Sequence, residues 1–509
     1  MGEPRIAQGL MRFYLLWYVV SLLSSFRHVN NLGAVLLNYS SFIDNQFVKT
    51  ANPEALDVLN PANGETIAVL DKLSANQIED ALSVAYQAQK KWKKLTSIER
   101  GDWLTRLADK LIDHKENIGR ILALESGKSF EDATNETIYA AEVTRYHAGW
   151  ARRIEGEVIP SDSPDENLVL HREPMGVVAC LIPFNYPVYT LLRKIAPALI
   201  TGNSVIVRPS SSTPCSAMEI AKAIADCEFP KGVINILIMD HDVAEQICTD
   251  SRISMMTLTG SVYAGRQILE YSKTNIAKCS LELGGKTPAI VASDADLENA
   301  AKLIVMSKTT NCGQLCTAIE RVYVHDSIYT QFVELLRSNL SQIQIGDRSI
   351  NPAFMGPLIS KKSRDNIHQI VLKAVEQGST VILGGDIPNL DGFFYPPTLI
   401  VDCHQKMDII QEEIFGPILP VVKYSEISQA LEMANDNQYG LASVIFSENY
   451  RTIMTFANHI EAGELYVNRT PADPYQGYHA GWKRSGLGGD DGKHGMLEFT
   501  QTRLVIMKY

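Results

Sequence analysis

A cysteine and a glutamate lie in segments whose composition could support covalent acyl chemistry. Cys316 ends the segment NCGQLC (311–316), in which Gly313 permits close approach of the backbone to a ligand. A thiolate is a strong nucleophile when it is accessible and an oxyanion donor lies nearby. Glu282 lies between two leucines before a Gly-Gly pair, where desolvation would raise its pKa toward that of a general base. From these residues alone, an inert buried cysteine and an exposed glutamate at a helix-to-turn junction remain open alternatives.

Two further segments could stabilise a negatively charged group of a ligand. Asn185 lies between Pro183 and Pro187 at the end of an apolar run, and its side-chain amide could donate a hydrogen bond to a developing oxyanion. Residues 259–265 (TGSVYAG) follow a predicted strand and open a predicted helix, which is the layout of a phosphate-binding helix N-terminus. The segment lacks the Gly-x-Gly-x-x-Gly spacing of a standard dinucleotide fold, so alone it indicates only an anion site.

Composition limits the classes of partner. The chain has 509 residues, which is enough for two or three domains, and its formal net charge of −11 argues against a nucleic-acid partner. Its eight cysteines show neither CxxC nor Cys/His metal spacing, so we expect no disulfide framework and no metal site. Sparse cysteines favour a reducing compartment, and we predict a cytoplasmic protein.

The N-terminus carries an uncharged apolar run at residues 13–26. It is shorter than the roughly 20 apolar residues that a membrane span requires. A signal or anchor, a buried accessory helix and an extension outside the working fold are the three alternatives. We favour an extension over residues 1–38 and predict no stable membrane association.

The elements that must position these residues follow an α/β pattern. SFIDNQFV (41–48) alternates as a half-buried strand, and helical periodicity covers 75–110 and then 119–154. After Pro174, apolar runs typical of parallel strands alternate with helical segments. A first series of strands comprises GVVACLIPF (176–184), SVIVRP (204–209), VINILIM (233–239), MMTLTGS (255–261) and PAIVAS (288–293). A second series begins near Leu303 and comprises RVYVHD (321–326), STVILGG (379–385), PILPVVKY (417–424) and ASVIF (442–446).

Two strand-like segments lie outside this alternation. Residues 156–172 read as a hairpin, and TRLVIMKY (502–509) reads as a strand at the end of the chain. Together they suggest a projecting sheet that is available for pairing between subunits. An ordinary surface hairpin is the alternative.

The order of the motifs resembles the aldehyde dehydrogenase superfamily. The motifs are Asn185, Gly260 with Gly265, Glu282, Cys316 and EEIFGP (412–417), and the resemblance runs over 39–509. It implies an α/β fold with a Rossmann-type cofactor domain, an α/β catalytic domain and a projecting β oligomerisation arm. The implied domains are a cofactor domain at 39–283 interrupted by the arm at about 156–174, a catalytic domain at 284–465, and a return to the cofactor domain with the oligomerisation strand at 466–509.

The resemblance also implies a mechanism. Cys316 would add to the aldehyde to form a thiohemiacetal, whose oxyanion the Asn185 amide and the Cys316 backbone N–H would hold. Hydride transfer to NAD or NADP would leave a thioester, and Glu282 would activate water to hydrolyse it. Since relatives that transfer the acyl group to coenzyme A usually lack this glutamate, a free acid is the expected product.

The cofactor contacts carried over by the resemblance depart from the common pattern at the adenosine end. Ser211 stands where many members have a glutamate that repels a 2′-phosphate, and Arg208 adds a cation, whereas Asp240 and Asp242 oppose that phosphate. The choice between NAD and NADP therefore stays open. The implied contact residues are Ile182, Phe184, Arg208, Ser211, Gly260, Ser261, Gly265, Leu283, Glu413 and Phe415.

For the substrate, the chain most resembles the lactaldehyde and glycolaldehyde dehydrogenase branch. Arg193, Asp473 and His479 would line the aldehyde pocket, although Asp473 is one methylene shorter than the usual glutamate. Such a polar pocket suits a 2-hydroxyaldehyde. The alternatives are an NADP-dependent glyceraldehyde dehydrogenase and a catalytically silent structural relative, and for His479 a helix-cap or core role. We expect a homodimer or homotetramer.

Overall fold

The computed structural model describes residues 36–50 and 54–509, except for the side chains of His241 and Asp242. The apolar run at 13–26 therefore lies outside the described residues. Within the described part of the chain, no helix is both long enough and apolar enough to cross a membrane.

Strands and helices alternate over most of the described chain. The strands are β1 Ser41–Ile43, β2 Gln46–Val48, β3 Ala55–Leu59, β4 Thr66–Asp71, β5 Glu157–Ile159, β6 Glu166–Pro174, β7 Val177–Leu181, β8 Ser204–Arg208, β9 Ile234–Ile236, β10 Ile253–Thr259, β11 Lys278–Glu282, β12 Thr287–Val291, β13 Ile319–His325, β14 Thr380–Leu383, β15 Thr398–Cys403, β16 Ile418–Tyr424, β17 Tyr439–Gly440, β18 Ala442–Phe446, β19 Glu464–Val467, β20 Trp482–Lys483, β21 Gly486–Leu487 and β22 Thr500–Lys508. The α-helices are α1 Ala75–Trp92, α2 Ser97–Ser126, α3 Phe130–Ala148, α4 Pro187–Ile200, α5 Pro214–Asp226, α6 His241–Cys248, α7 Val262–Asn275, α8 Leu297–Thr309, α9 Tyr329–Ser341, α10 Lys361–Glu376, α11 Asp408–Gln411, α12 Ile427–Asn435, α13 Tyr450–His459 and α14 Gly492–Glu498. Short 3-10 turns span Gly149–Arg152, Thr310–Gly313 and Asp326–Ile328.

The first large sheet has the strand order β2-β1-β9-β8-β7-β10-β11-β21. The five central strands of this order, which are β9, β8, β7, β10 and β11, are parallel. The outer strands β1, β2 and β21 pair antiparallel. Alternate residues of β7 face different cores, because Val178 and Cys180 pack in one apolar cluster and Ala179 and Leu181 in another. The sheet is therefore covered on both faces, as its continuous apolar strands predict.

The second large sheet has the order β14-β15-β16-β13-β12-β18-β19 and corrects one strand assignment. The sequence grouped 288–293 with the first series, but β12 pairs in parallel with β13 and β18 of the second sheet. Only four residues separate the end of β11 at Glu282 from the start of β12. That short link carries the chain from one sheet to the other, so similar apolar strands lie in different sheets.

A separate three-stranded sheet, β22-β6-β5, unites the predicted hairpin with the end of the chain. The pairing of β22 with β6 is antiparallel and runs from Thr500↔Pro174 to Lys508↔Glu166. The prediction that these distant segments form one sheet is confirmed.

Local breaks interrupt three elements that periodicity had predicted as continuous. The strand at 41–48 is a hairpin, because Asp44 and Asn45 take left-handed backbone angles between β1 and β2. The helical stretch from 75 divides where Thr96 caps α2, and the next stretch divides at Gly127, whose φ is 74°. Caps and left-handed residues end these helices even though the apolar spacing continues.

Candidate active site

A cavity of about 670 Å³ lies at the carboxyl ends of β10 and β11. Its walls come from these strand ends of the first sheet, from helices α3, α4 and α8, and from the loops that follow α8 and β19. The cavity brings together all six residues predicted to act on the substrate, which are Asn185, Arg193, Glu282, Cys316, Asp473 and His479.

The loop that carries Cys316 is built on left-handed backbone. Asn311 and Cys312 have φ of 47° and 58°, and Gly313 has φ of 72°. A Cβ on Gly313 would come within 2.5 Å of the carbonyl oxygen of Gly416, so only glycine fits this approach. Cys312 is fully buried, and the segment that joins it to Cys316 is not a regular helix.

Asn185 is tied to the same loop. Its side-chain Nδ2 donates to the carbonyl of Gln314 at 3.0 Å, and its own carbonyl accepts from Nδ2 of Asn311 at 3.2 Å. A side-chain amide has two N–H donors, so one is left over beyond the contact to Gln314. The amide and the Cys316 loop are therefore positioned as one unit beside the cavity.

Glu282 is the last residue of β11, and its side chain is almost fully buried. The alternative of an exposed glutamate at a helix-to-turn junction is therefore wrong. Burial raises the pKa of this carboxyl well above its ordinary range, while His479 lowers it. The oxygen Oε2 lies 3.3 Å from Nε2 of His479. A carboxyl with a raised pKa suits proton abstraction near neutral pH.

His479 is buried among carboxylates, so it is not a helix cap. Its Nδ1 lies 2.9 Å from Oε1 of Glu464 and 3.5 Å from Oδ2 of Asp473. The Tyr466 hydroxyl donates to both carboxylates, at 2.8 Å to Glu464 and 3.3 Å to Asp473. One oxygen or nitrogen atom from each of Glu464, Asp473 and His479 lies within 4.8 Å of the other two, and hydrogen bonds with Tyr466 and between Glu464 and His479 tie the three side chains together. Sequence reasoning missed Glu464.

Two consecutive cations on α4 are neutralised by two consecutive aspartates. Arg193 Nη2 lies 2.5 Å from Oδ2 of Asp491, and Lys194 Nζ lies 3.0 Å from Oδ2 of Asp490. All four side chains are buried. Sequence reasoning missed both aspartates, but a signal was present: every residue of α4 is buried, and buried charges require counterions.

Most of the predicted cofactor residues lie at or just beyond the carboxyl ends of β7, β8, β10 and β11, and we refer to this edge of the first sheet as the predicted cofactor groove. Ser261 caps α7 by accepting from the backbone N–H of Ala264, so that this helix N-terminus opens after β10. Gly265 allows α7 to approach β11 closely, since a Cβ there would lie 2.7 Å from a methyl carbon of Leu283. Gly260, between β10 and Ser261, donates its N–H to the carbonyl of Glu282 at 2.9 Å.

The end of the groove nearest Cys316 is aromatic and acidic. The rings of Phe184 and Phe415 meet edge to face with centroids 5.9 Å apart. Glu413 accepts from the backbone N–H of Gly285 at 2.9 Å, and burial raises its pKa to about 7. Ile182 lies buried at the end of β7 and donates its N–H to the carbonyl of Arg208.

The opposite end of the groove holds an incompletely partnered cation. The Nε and Nη2 atoms of Arg208 are buried without a hydrogen-bond partner. Asp240 lies near Arg208 and forms an ion pair with Lys72, while Ser211 is half-buried in the turn after β8. The unpartnered guanidinium atoms fit an anionic group of a nucleotide. The side chain of Asp242 is outside the described set.

Comparisons with known proteins agree with this architecture. Residues 47–505 match the model of the "Aldehyde dehydrogenase family". The chain is 41% identical over 480 residues to lactaldehyde dehydrogenase of Escherichia coli, covering 93% of this chain and 100% of that protein. A crystal structure of the Escherichia coli enzyme superposes with a TM-score of 0.92, at 40% identity and the same coverage of both chains.

Two other relatives differ in their named substrates. A D-glyceraldehyde dehydrogenase (NADP(+)) of Thermoplasma acidophilum is 35% identical, covering 92% of this chain and 96% of that protein. A structure of 3,6-anhydro-L-galactose dehydrogenase in complex with NAP has a TM-score of 0.89 at 35% identity, covering 92% of this chain and 100% of that one. With the family model matched over nearly the whole described chain, this protein belongs to the aldehyde dehydrogenase family and is an oxidoreductase of a family that uses NAD or NADP.

Proposed function

We propose that this chain oxidises a small neutral hydroxyaldehyde, such as lactaldehyde or glycolaldehyde, to its carboxylic acid with NAD or NADP. The observation that carries the proposal is a single cavity. It is lined by Cys316, Asn185 and Glu282 together with the polar side chains that would contact a substrate hydroxyl, which are Arg193, Asp473 and His479. Its similarity to lactaldehyde dehydrogenase of Escherichia coli supports the same substrate class.

The chemistry follows from where the side chains lie. The thiolate of Cys316 adds to the aldehyde carbon, and the free N–H of the Asn185 amide stabilises the oxyanion of the thiohemiacetal. A bound nicotinamide dinucleotide supplies the hydride acceptor. The thioester that remains on Cys316 is hydrolysed when Glu282 takes a proton from water, which releases the acid and regenerates the thiol.

The charges around the cavity favour a neutral substrate over an acidic one. Within the described residues, each Lys or Arg side chain that lines the cavity already has a carboxylate partner. An acidic semialdehyde would therefore have to displace one of these carboxylates. The pairs are Lys128 with Glu136, Arg193 with Asp491, and Arg348 with Asp132.

The test is NAD(P)H formation, followed by absorbance, with purified protein and four aldehydes. L-lactaldehyde, glycolaldehyde, D-glyceraldehyde and succinate semialdehyde are each supplied with NAD and with NADP. We expect the highest kcat/KM for lactaldehyde or glycolaldehyde and the lowest for succinate semialdehyde. A preference for succinate semialdehyde would contradict the charge argument.

A second candidate is an NADP-dependent glyceraldehyde dehydrogenase. Two observations support it. A relative of that name is 35% identical, and Ser211 stands at the position where many family members have a glutamate that repels a 2′-phosphate. D-glyceraldehyde turnover with NADP that exceeds every other combination would favour it. No turnover of any aldehyde by folded protein would instead favour a catalytically silent relative.

Substitution of Ser211 by glutamate is expected to weaken NADP selectively. A carboxylate at this turn would face the 2′-phosphate and repel it, so the KM for NADP should rise at least about tenfold with little change for NAD. Initial rates over a range of each cofactor measure the effect. Ser211→Ala is the matched control, because it removes the hydroxyl without adding charge. Equal effects of Ser211→Glu on both cofactors would place the 2′-phosphate elsewhere.

The turnover rate is expected to rise with pH from neutral into alkaline solution. Only the ionised carboxylate of Glu282 can take a proton from water, and burial raises its pKa. Glu282→Gln should remove this ionisation and lower kcat by about 10²–10⁴. Steady-state kcat over pH measures both, after preincubation confirms that the protein is stable. A similar rise in Glu282→Gln would assign the ionisation to another group.

We further propose that the three-stranded sheet joins subunits into a homodimer or homotetramer. Cross-strand pairing puts five apolar residues on one face, and three of them are exposed. An exposed apolar patch of this kind is typical of an interface. The five residues are Ile159, Leu168, Leu170, Leu504 and Ile506.

Ile506→Asp is expected to lower the mass of the assembly. Its carboxylate would have to be desolvated in the interface, which is costly. Light scattering after size-exclusion chromatography measures the mass. Gln501→Asp is the control, since strand alternation directs that side chain to the other face of β22. An unchanged mass in Ile506→Asp would exclude this face as the interface.

The cytoplasmic location is also a proposal. It rests on the eight cysteines, all of which are free thiols in the structure.

A further inference from the structure

The two ring nitrogens of His479 contact different carboxylates. On one side, Nδ1 lies 2.9 Å from Oε1 of Glu464, and on the other, Nε2 lies 3.3 Å from Oε2 of Glu282. The backbone of His479 is fixed by two hydrogen bonds to Asp490, of 3.0 and 2.8 Å. The ring is thus a bridge between the carboxylate that would activate water and a second one that has no direct part in the chemistry.

Glu464 is held so that it can act as the fixed end of this bridge. It is the first residue of β19, and its backbone N–H donates to the carbonyl of Leu441. Its second carboxylate oxygen accepts from the Tyr466 hydroxyl at 2.8 Å. An ionised carboxylate only accepts hydrogen bonds, so the proton in the contact with His479 belongs to Nδ1.

Charged or titratable groups from six segments face the ring, and two of these groups, Asp490 and Asp491, come from the segment before α14. Glu282 comes from β11, Glu464 from β19, Asp473 from the loop after β19, Arg193 from α4 and Cys316 from the loop after α8. Burial lowers the pKa of His479, but the carboxylates of Asp473 and Glu282 outweigh that effect and raise it well above its ordinary value. These carboxylates therefore favour the protonated, imidazolium form of the ring.

Cys316 lies beside this ring. The two side chains line the same cavity. Burial raises the pKa of the Cys316 thiol, whereas the contact with His479 lowers it. A cation beside a buried cysteine favours the thiolate that attacks an aldehyde.

We propose that Glu464 is a positioning residue for the nucleophile: its carboxylate accepts a hydrogen bond from Nδ1 of His479 and holds the ring beside Cys316 with Nε2 toward Glu282, and its negative charge favours the imidazolium form of the ring. The role rests on the proposed thioester chemistry and deepens it. It assigns His479 a part in activating Cys316 in addition to any contact with substrate, and it gives the unassigned Glu464 a defined task.

The test is the pH dependence of alkylation of Cys316 by iodoacetamide in the full chain without cofactor. Iodoacetamide reacts with the thiolate, and tandem mass spectrometry separates Cys316 from Cys312. In Glu464→Gln the amide oxygen still accepts from Nδ1, but the negative charge is lost. We expect the midpoint of alkylation to move to higher pH by about one unit, and kcat to fall about tenfold with a smaller change in KM.

A double-variant cycle shows whether Glu464 acts through the histidine. His479→Asn should shift the midpoint at least as far, and Glu464→Gln combined with His479→Asn should shift it no further. An unchanged midpoint in Glu464→Gln, or shifts that add in the double variant, would overturn the proposal. Glu461→Gln is the control, because this exposed glutamate pairs with Lys483 at the surface just before β19.

Two features keep the outcome interpretable. Alkylation requires no aldehyde, so a chain that turned over no substrate but showed the shift would contradict the proposed function and leave the positioning role standing. If Glu464→Gln lowers the melting temperature, Tyr466→Phe replaces it, since this variant removes the hydroxyl that holds the Glu464 carboxylate. A smaller shift in the same direction is expected, and no shift would overturn the proposal.

Discussion

Replacement of Cys316 by alanine is expected to abolish NAD(P)H formation with every aldehyde. Alanine cannot form the thiohemiacetal or the thioester, so no covalent path remains, and kcat should fall by about four orders of magnitude or more. Since Cys316 is only partly exposed at the cavity wall, the loss of its sulfur should leave the fold intact. The measurement is absorbance of the reduced cofactor beside wild-type protein, with fluorescence titration to verify that the cofactor still binds.

Cys312→Ala is the matched control for the nucleophile. It lies four residues away in the same loop but is fully buried, and burial raises the pKa of its thiol. Its replacement should cost stability of about 1 kcal/mol through a small cavity while turnover is retained. Turnover that survives in Cys316→Ala, or that is lost equally in both variants, would contradict the assignment of the nucleophile.

The parts of the site that the sequence predicts are those that depend on local motifs. Cys316, Asn185 and Glu282 each lie at the end of a strand or in the loop that follows α8, and such positions can be recognised from an apolar run followed by glycine or proline. Asn185 follows β7 and Glu282 ends β11 in the first sheet, whereas Cys316 lies before β13 of the second sheet. Their meeting in one cavity was therefore implied by the resemblance of the ordered motifs to the family, and not by the strand pattern.

The partners of the site residues could not be predicted in the same way. Arg193 lies in α4, and Asp491 directly precedes α14. Only the tertiary fold shows that they pair. Glu464 reaches His479 because of the register of β19 against β18, which no local pattern encodes. Counterions of buried charges are chosen by packing, so a sequence indicates that a partner must exist without indicating which one.

Strand assignment failed for a similar reason. An apolar run such as β12 predicts a buried parallel strand, but it carries no information about which of two similar sheets accepts it. Breaks at Asn45 and Gly127 depend on single residues with left-handed backbone, which periodicity averages out. The hydrophobic pattern of a sequence therefore predicts neither which strands pair with one another nor the backbone angles of single residues.

A buried ion cluster behind the cofactor groove provides the second large expected effect. Glu320 lies 3.0 Å from Nζ of Lys286 and also pairs with Lys308, and all three side chains are fully buried. Its carboxylate also accepts from the backbone N–H groups of Ile414 and Phe415, at 2.8 and 3.2 Å. This single carboxylate therefore pairs with two lysines and holds the loop that carries Phe415.

Glu320→Ala is expected to destabilise the protein by about 3–5 kcal/mol, because it leaves two buried ammonium groups without a counterion. The freed loop should also weaken cofactor binding, since Phe415 loses the backbone contact that positions its ring against Phe184. The apparent melting temperature and a cofactor titration measure the two effects. Glu334→Ala is the matched control: this exposed glutamate pairs with Arg337 on the surface, and its loss should leave the melting temperature almost unchanged. If the two variants melted alike, the cluster would be solvated rather than buried, and the ion pairs would not be what holds Phe415 in place.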